Sequence, residues 1–319
     1  MSAIQIKAKL TNLIEELSAN PGSFLRNPTK DFTRKRKIDF SDTLSLLLAM
    51  EGKSTTNELL RYYRCSKDTP TASALRQQRD KIKPEAFECL FRKFSAACTG
   101  EGPLYNGYRL LAVDGSDLLF IADPSDPDSY YSGENGQKPY SILHLNALFD
   151  LRQKVYVDAI VQKSRLANEH RALCDMVDRS SIDKAILLAD RNYESYNDLA
   201  HLQEKGWKFL IRVKDGNSGI VSALPLPKTE AFDCAFQLSL TRSRTNELKK
   251  RMKEDPSLKY IASSSPFDFL PSHAQKNEPC VIYNNLSFRV VRFHLTDSSF
   301  ETVPVSYTHL RAHETSLHL

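Results

Sequence analysis

The chain has 319 residues, of which 41% are hydrophobic and 26% are charged, and its formal net charge is +5. This length and composition predict two or three compact units with a hydrophobic core and exclude a disordered chain. The cysteine spacing excludes a zinc ribbon or a disulfide framework. The sequence shows neither a signal peptide nor an apolar run long enough to span a membrane, which predicts a cytoplasmic protein without a membrane partner.

Apolar residues recur at helical spacing throughout the first hundred residues. The predicted helices cover residues 4 to 18, Asp39 to Met50, Thr55 to Tyr63, Thr71 to Lys81 and Pro84 to Ala97. Short helices with an Arg-rich member, here the one that carries Arg76 and Arg79, are typical of a helix-turn-helix DNA binder. A plain helical bundle would show the same pattern, so both interpretations stay open.

Positive charge is concentrated in this helical region, since residues 1 to 100 contain 18 Lys and Arg against 11 Asp and Glu. The densest basic run is formed by Arg34, Lys35, Arg36 and Lys37. Basic runs bind phosphate backbones by neutralising charge and releasing counterions. The run therefore predicts a DNA contact, with a solvated basic surface as the alternative.

The pattern changes from helices to strands after the polar segment Thr99 to Gly107, where a domain boundary is expected. The predicted strands are Tyr108 to Val113, Ile142 to Asp150, Val155 to Gln162, Ala185 to Ala189 and Trp207 to Lys214, and the predicted helices are Asn168 to Arg179 and Tyr196 to Lys205. This order predicts an α/β domain with a mixed sheet and flanking helices. Alternating residues near Phe232 to Leu240, then apolar runs at Cys280 to Ile282 and Leu286 to His294, indicate a further β-rich region.

Two aspartates, Asp114 and Asp190, each follow a short apolar run that reads as a buried strand. Carboxylates presented at strand ends can share divalent metal ions, which activate an attacking oxygen and stabilise a leaving oxygen in phosphoryl transfer. A turn-forming role is the alternative, because Asp-Gly is a common turn dipeptide. Three basic side chains near these strand ends are predicted to contact phosphate, with ordinary surface roles as the alternative: Arg191, Arg212 and Lys214. His144 and His170 are interpreted as hydrogen-bonded structural residues.

Six stretches resemble the IS4-type DDE transposases in sequence, order and spacing. They are LAVDGS at 111–116, HLNALFDL at 144–151, YVDAI at 156–160, NEHRAL at 168–173, ADRNYES at 189–195 and FLIRVK at 209–214. The resemblance spans residues 30 to 304 and implies an RNase H-like catalytic domain interrupted by a β-rich insertion. The expected domains are a helical DNA-binding domain at 1–104, the first part of the catalytic core at 105–225 and the insertion at 226–304.

The resemblance implies DNA strand cleavage and strand transfer at insertion-sequence ends with Mg²⁺ or Mn²⁺. Asp114 and Asp190 would be the first two catalytic and metal-binding acids, and a Glu is required as the third. The implied partners are the terminal repeats, the target DNA and a second copy of the chain, in a bacterial, nucleoid-associated setting. Two alternatives stay open: a DNA-binding repressor that has lost catalysis, and an RNase H-like nuclease that cuts without joining.

The resemblance stops at Pro304. The following sequence, VSYTHLRAHET, resembles the in-frame translation of a sequencing-library adapter. In the family the third acid follows later, on a helix with fixed spacing between Tyr, Arg, Glu and Lys, and Tyr307, Arg311 and Glu314 do not keep that spacing. We therefore expect residues 305–319 to be a non-native tail that packs poorly, and the chain to be inactive because the third acid is absent.

Overall fold

The computed structural model describes residues 2–99, 102–133, 136–213, 219–222, 224–272, 280–296 and 299–306. The chain divides into two compact units, Met1–Glu101 and Gly102–Leu319. Among the described residues, no helix is both long enough and apolar enough to cross a membrane.

The first unit is helical. Its helices are α1 (Ala3–Ala19), α2 (Phe40–Ala49), α3 (Thr55–Tyr62), α4 (Ala72–Arg79) and α5 (Glu85–Cys98). Each of the first four begins at a polar residue whose side chain accepts a hydrogen bond from a backbone N–H of the first turn: Ser2, Asp39, Ser54 and Thr71. The helices predicted from apolar spacing are therefore confirmed.

Two apolar clusters hold these helices together. One contains residues of α1, α2 and α5, and the other surrounds Leu46, Leu59 and Leu75 of the three shorter helices. The buried Gln78 side chain of α4 donates to the carbonyl oxygen of Ile38 at 2.6 Å. Because Ile38 is itself only 2% exposed, the chain is anchored directly after the basic run 34–37.

The second unit is built on a mixed sheet. Its strands are β1 (Arg109–Ile121), β2 (Tyr130–Tyr131), β3 (Tyr140–Asp150), β4 (Val155–Lys163), β5 (Ala185–Ala189), β6 (Lys208–Ile211), β7 (Phe232–Thr241), β8 (Leu258–Tyr260), β9 (Ile282–Thr296) and β10 (Ser299–Val305), and its helices are α6 (Glu169–Arg179), α7 (Tyr196–Glu204) and α8 (Asn246–Glu254). In the described part of the chain all these strands form one sheet of order β2-β3-β1-β5-β6-β10-β9-β7-β8, with β4 paired to β3.

The first half of this sheet is the RNase H-like part. Strands β1, β3 and β4 form an antiparallel meander, and β5 lies parallel to both β1 and β6. The connecting helices α6 and α7 contribute Leu173 and Leu199 to the same core as Leu111 of β1 and Leu187 of β5. A meander followed by parallel strands with helical crossovers confirms the predicted fold class.

The second half extends the same sheet. Strand β10 meets β6 at Val305 and Leu210, and β9, β7 and β8 continue outward from it. The two strands predicted at Cys280 to Ile282 and Leu286 to His294 are one long strand, β9. The predicted β-rich region is thus present, while its boundary at residues 225 and 226 stays a prediction.

One predicted strand boundary is wrong. Strand β1 does not end before Asp114 but runs to Ile121, because β3 pairs with it along that whole stretch. At the predicted start of the non-native tail, Val305 is fully buried in β10, and the Ser306 side chain accepts a hydrogen bond from the Phe209 backbone at 3.0 Å, while the tail itself stays a prediction. Residues 307–319, which include Glu314, lie outside the described residues.

Candidate active site

Asp114 and Asp190 lie close to the point where two neighbouring parallel strands stop pairing. The last pair of β1 and β5 is Ala112 opposite Leu188, and each aspartate follows two residues later, Asp114 within β1 and Asp190 one residue past the end of β5. Because neighbouring strands lie about 4.8 Å apart, this register is expected to bring the two carboxylates near each other. Asp114 lies inside β1 and not at the end of this strand. The pairing of β1 with β5, however, stops at Ala112, two residues before Asp114.

Each aspartate uses one carboxylate oxygen locally. Oδ1 of Asp114 accepts a hydrogen bond from the backbone N–H of Gly115 at 2.9 Å. Oδ1 of Asp190 accepts one from the backbone N–H of Asn192 at 2.9 Å and caps the short 3-10 turn Arg191–Tyr193. No hydrogen bond from the described residues reaches the second oxygen of either carboxylate, which leaves both oxygens able to bind a ligand.

Titratable side chains beside Gly115 were not predicted as part of the site. Nδ1 of His144 lies 2.7 Å from Oδ1 of Asp117, its cross-strand partner. Nε2 of His144 lies 3.0 Å from Oε1 of Glu169, the first residue of α6, without the geometry of a hydrogen bond. A Cβ at position 115 would lie 2.6 Å from that Glu169 oxygen and 2.7 Å from Nε2 of His144. The lack of a side chain at Gly115 therefore makes the space that both groups occupy.

The Tyr193 side chain is 1% exposed, and its hydroxyl has no hydrogen-bond partner among the described residues. Burial is the main cause that raises the pKa of Tyr193. The negative charges of Glu169, Asp114, Asp190 and Asp198 raise this pKa further. These carboxylates therefore lie close enough to act on one buried hydroxyl.

A second carboxylate and histidine pair connects α6 to α7. Asp198 of α7 is fully buried, and its Oδ2 lies 2.6 Å from Nδ1 of His170 in α6. Burial raises the pKa of Asp198, whereas the hydrogen bond to Asp198 raises the pKa of His170. Both His144 and His170 thus contact carboxylates, as expected for structural histidines, and the pair to Asp198 fixes the start of α6.

Comparison with known proteins decides the family. Residues 105–296 match the family described as transposase DDE domain. The chain belongs to this transposase family. The IS4-type assignment is compatible with that family and stays a prediction.

Among solved structures, the chain is similar to a piggyBac transposase in a synaptic complex with hairpin DNA, at 10% identity and a TM-score of 0.36. That similarity covers 97% of this chain and 53% of the other, so the chain spans about half the length of that transposase. No curated protein sequence matches the chain.

Transposases of the DDE type generally use divalent metal ions, and Asp114 and Asp190 are carboxylate oxygen donors of the kind that Mg²⁺ and Mn²⁺ prefer. Among the residues that the structure describes, no three His, Cys, Asp or Glu side chains are set to hold one metal ion. The metal-binding role of Asp114 and Asp190 stays a prediction.

The three basic residues predicted around this DDE site differ in their surroundings. Arg191 is exposed and directly follows Asp190. Arg212 forms a two-point salt bridge with Glu301, with Nε to Oε1 and Nη2 to Oε2 both at 2.9 Å, and this contact raises the pKa of Arg212. Lys214 lies outside the described residues. A phosphate contact by Arg212 would have to replace its pairing with Glu301, and the three DNA contacts stay predictions.

In the helical unit, all six predicted DNA-binding side chains are exposed: Arg34, Lys35, Arg36, Lys37, Arg76 and Arg79. Lys37 lies 3.5 Å from Asp68, and Arg79 lies 3.6 Å from Asp80. A cavity of about 390 Å³ lies between the basic run and α4. Arg36, Lys37 and Lys81 are among the residues that line it. The run is thus exposed to solvent while it is fixed next to the Arg-rich helix.

Replacing Tyr193 with Phe is expected to raise the free energy of unfolding by about 1–3 kcal/mol, because a buried hydroxyl without a partner destabilises the folded chain. The matched control is Tyr196→Phe, since the Tyr196 hydroxyl donates to the carbonyl oxygen of Ile220 at 2.9 Å. This control is expected to lose about 1 kcal/mol. Urea unfolding without added metal measures both changes, and a loss of stability in Tyr193→Phe would contradict the assignment of an unsatisfied hydroxyl.

Proposed function

We propose that this chain belongs to a transposase that cleaves DNA strands at insertion-sequence ends and joins the freed 3′ hydroxyl to target DNA, with Mg²⁺ or Mn²⁺. The observation that supports the proposal is the register of β1 and β5, in which Asp114 and Asp190 each follow two residues after the last pair, Ala112 and Leu188. This pair lies inside the region that matches the transposase DDE domain.

Asp114 and Asp190 would hold the metal ions. Bound divalent ions polarise a scissile phosphate and lower the pKa of an attacking water. The pairing of β1 with β5 orients the two carboxylates relative to each other, and the hydrogen bonds from Gly115 and Asn192 fix one oxygen of each. Arg191, which is exposed beside Asp190, would contact a phosphate of the bound strand.

DNA binding is proposed for the helical unit, within the domain limits 1–104 for DNA binding, 105–225 for the core and 226–304 for the insertion. The exposed basic run and the Arg-rich helix α4 support this role. A homodimer that bridges two terminal repeats, and association with the bacterial nucleoid, belong to the same proposal.

A nicking assay with the purified full chain tests the proposal. The substrate is a supercoiled plasmid that carries the DNA flanking this coding region at its source locus, incubated with Mg²⁺, Mn²⁺ or EDTA. Nicking that requires metal, followed by joined products, supports transposition, and nicking without joined products supports the nuclease alternative. Nicking by the unmodified chain would also contradict the expectation that it is inactive for lack of a third acid.

The second candidate is a DNA-binding protein without catalysis. One observation favours it: in the described part of the chain, no three metal-type side chains are set around one ion. Gel-shift measurements on the same flanking DNA separate the candidates, since sequence-specific binding without nicking under either metal supports the second.

When Arg34, Lys35, Arg36 and Lys37 are changed together to Ala, the affinity for DNA is expected to depend less steeply on salt concentration. The change in slope is expected to correspond to the loss of up to about four phosphate contacts. The measurement is the slope of log affinity against log salt concentration for the full chain. The matched control changes Arg92 and Lys93, whose charges are paired with Glu88 and Glu16. An unchanged slope in the fourfold variant would assign the run to solvent.

A further inference from the structure

Helix α4 presents a polar face that the rest of the helical unit leaves free. The buried side of this helix is formed by Leu75 and Gln78, which are 2% and 6% exposed. Ser73, Arg76 and Gln77 lie on the opposite side, because residues three and four apart are neighbours on a helix, and all three are exposed. In the described part of the chain, no hydrogen bond or ion pair engages the side chain of Arg76 or Gln77. Both side chains are therefore available to a ligand.

The neighbouring helix α3 offers no comparable face. Its one basic residue, Arg61, donates to the carbonyl oxygen of Ala49 at 2.6 Å and forms a salt bridge with Glu51. The side chains of Leu60 and Tyr62 in the same helix are 38% and 36% exposed. Since Arg61 is already bound within the helical unit and its exposed neighbours are largely apolar, polar recognition of a ligand falls to α4.

Basic side chains lie on both sides of the polar face of α4. On one side, Gln77 lines the cavity between α4 and the basic run, together with Arg36, Lys37 and Lys81. On the other side, the exposed Arg79 lies beyond Arg76, since successive helical residues are rotated by about 100°. A DNA groove is bordered by two negatively charged backbones, so cations on both sides of a polar face suit a helix that enters such a groove.

The length and the anchoring of α4 also suit a groove. The helix has eight residues, which at about 1.5 Å per residue span roughly the width of the major groove, about 12 Å. The Thr71 side chain caps its first turn by accepting a backbone hydrogen bond at 3.2 Å, and Gln78 anchors its last turn to Ile38. Leu75 belongs to the apolar cluster shared with α2 and α3. The helix therefore holds its exposed side chains at a fixed spacing, as the reading of bases requires.

We propose that α4 reads the base sequence of the bound DNA from the major groove, with Arg76 and Gln77 as the residues that determine specificity. This inference rests on the proposed DNA-binding role of the helical unit. The Arg76 guanidinium matches the O6 and N7 acceptors of guanine, and the Gln77 amide matches the N7 acceptor and the N6 donor of adenine. The basic run binds phosphates, and these contacts position the helix without reading the sequence.

Selection from a pool of short DNA duplexes with a randomised centre tests this assignment on the full chain. The unmodified chain is expected to enrich a motif with guanine and adenine at nearby positions. Arg76→Ala is expected to lose only the guanine preference and Gln77→Ala only the adenine preference, each with a loss of discrimination of about ten- to a hundredfold. Gln77→Arg is expected to change the adenine preference to guanine.

The matched controls are Arg92→Ala and Asn12→Ala, which remove an arginine from α5 and an amide from α1. Both controls are expected to select the same motif as the unmodified chain. The fourfold alanine variant of residues 34–37 is expected to bind all sequences more weakly and to keep the motif, because phosphate contacts do not depend on sequence. A second measurement needs no variant: replacing the selected guanine with an analogue that lacks the N7 acceptor is expected to weaken binding by the unmodified chain about tenfold.

A motif that survives in both Arg76→Ala and Gln77→Ala would overturn this inference, and so would equal weakening of every sequence in these two variants or full affinity for the duplex without the N7 acceptor. DNA binding by the unmodified chain without any sequence preference would also overturn it. Each of these results leaves the proposed DNA-binding role in place. If the unmodified chain binds no DNA, both the inference and the DNA-binding role are overturned.

Discussion

In an intact homologue, replacing the aspartate equivalent to Asp114 or Asp190 with Asn is expected to lower metal-dependent nicking of DNA by at least about a thousand-fold. Asn keeps the shape of the side chain but removes the negative charge that holds a divalent ion. Both residues are solvent-accessible to some degree, and the second oxygen of each carboxylate receives no hydrogen bond from the described residues, so the change costs the fold little. Affinity for DNA in the absence of metal is expected to stay within a few-fold, roughly 1 kcal/mol.

The control for this pair is Asp183→Asn. Asp183 is an exposed aspartate that precedes β5, at the opposite end of the strand from Asp190. Nicking by this control is expected to equal that of the unmodified homologue, because Asp183 precedes β5 and Asp190 follows it. Unfolding of both Asp114→Asn and Asp190→Asn, seen by circular dichroism, would instead support structural roles for the two aspartates. If either the Asp114→Asn or the Asp190→Asn variant nicks DNA at the full rate, the metal-binding role of that aspartate would be refuted.

Replacing Trp207 with Ala is expected to lower the free energy of unfolding of the second unit by about 3–5 kcal/mol, from lost burial and the cavity left behind. Trp207 is 1% exposed, belongs to the core shared by β1, β5, α6 and α7, and donates from Nε1 to the carbonyl oxygen of Ile182 at 2.8 Å. This core supports the strands that present Asp114 and Asp190. The loss would therefore also reduce the population of molecules with an intact site.

Two further variants separate the contributions of Trp207. Trp207→Phe keeps an aromatic ring but leaves the Ile182 carbonyl without its donor, and is expected to cost about 1–3 kcal/mol. Leu119→Ala truncates a side chain that is 71% exposed and is expected to change stability by less than about 0.5 kcal/mol. Urea unfolding is followed by far-ultraviolet circular dichroism, since Trp207 is the only tryptophan. If Trp207→Ala lowers the free energy of unfolding no more than Leu119→Ala does, the result would contradict the packing of Trp207 in this core.

Local sequence patterns predicted most of the elements because their signals are short-range. Helical apolar spacing located the helices of the first unit, and bounded apolar runs located β5 and the start of β1. Strand β1 was predicted too short, because the residues from Asp114 to Ser116 interrupt its apolar pattern. Pairing with β3 carries the strand across this interruption, and such pairing depends on residues far along the chain.

The sequence by itself determined that Asp114 and Asp190 follow apolar runs, that the chain resembles a transposase, and that positive charge collects near residues 34 to 37. Only the tertiary structure decided which groups meet these residues. Glu169 reaches Gly115 because the start of α6 is fixed against β4 and α7, and Arg212 pairs with Glu301 because β10 is brought close to β6 in the sheet. These contacts join residues distant in sequence, so neither periodicity nor spacing could indicate them, and the packing of one shared core determines them.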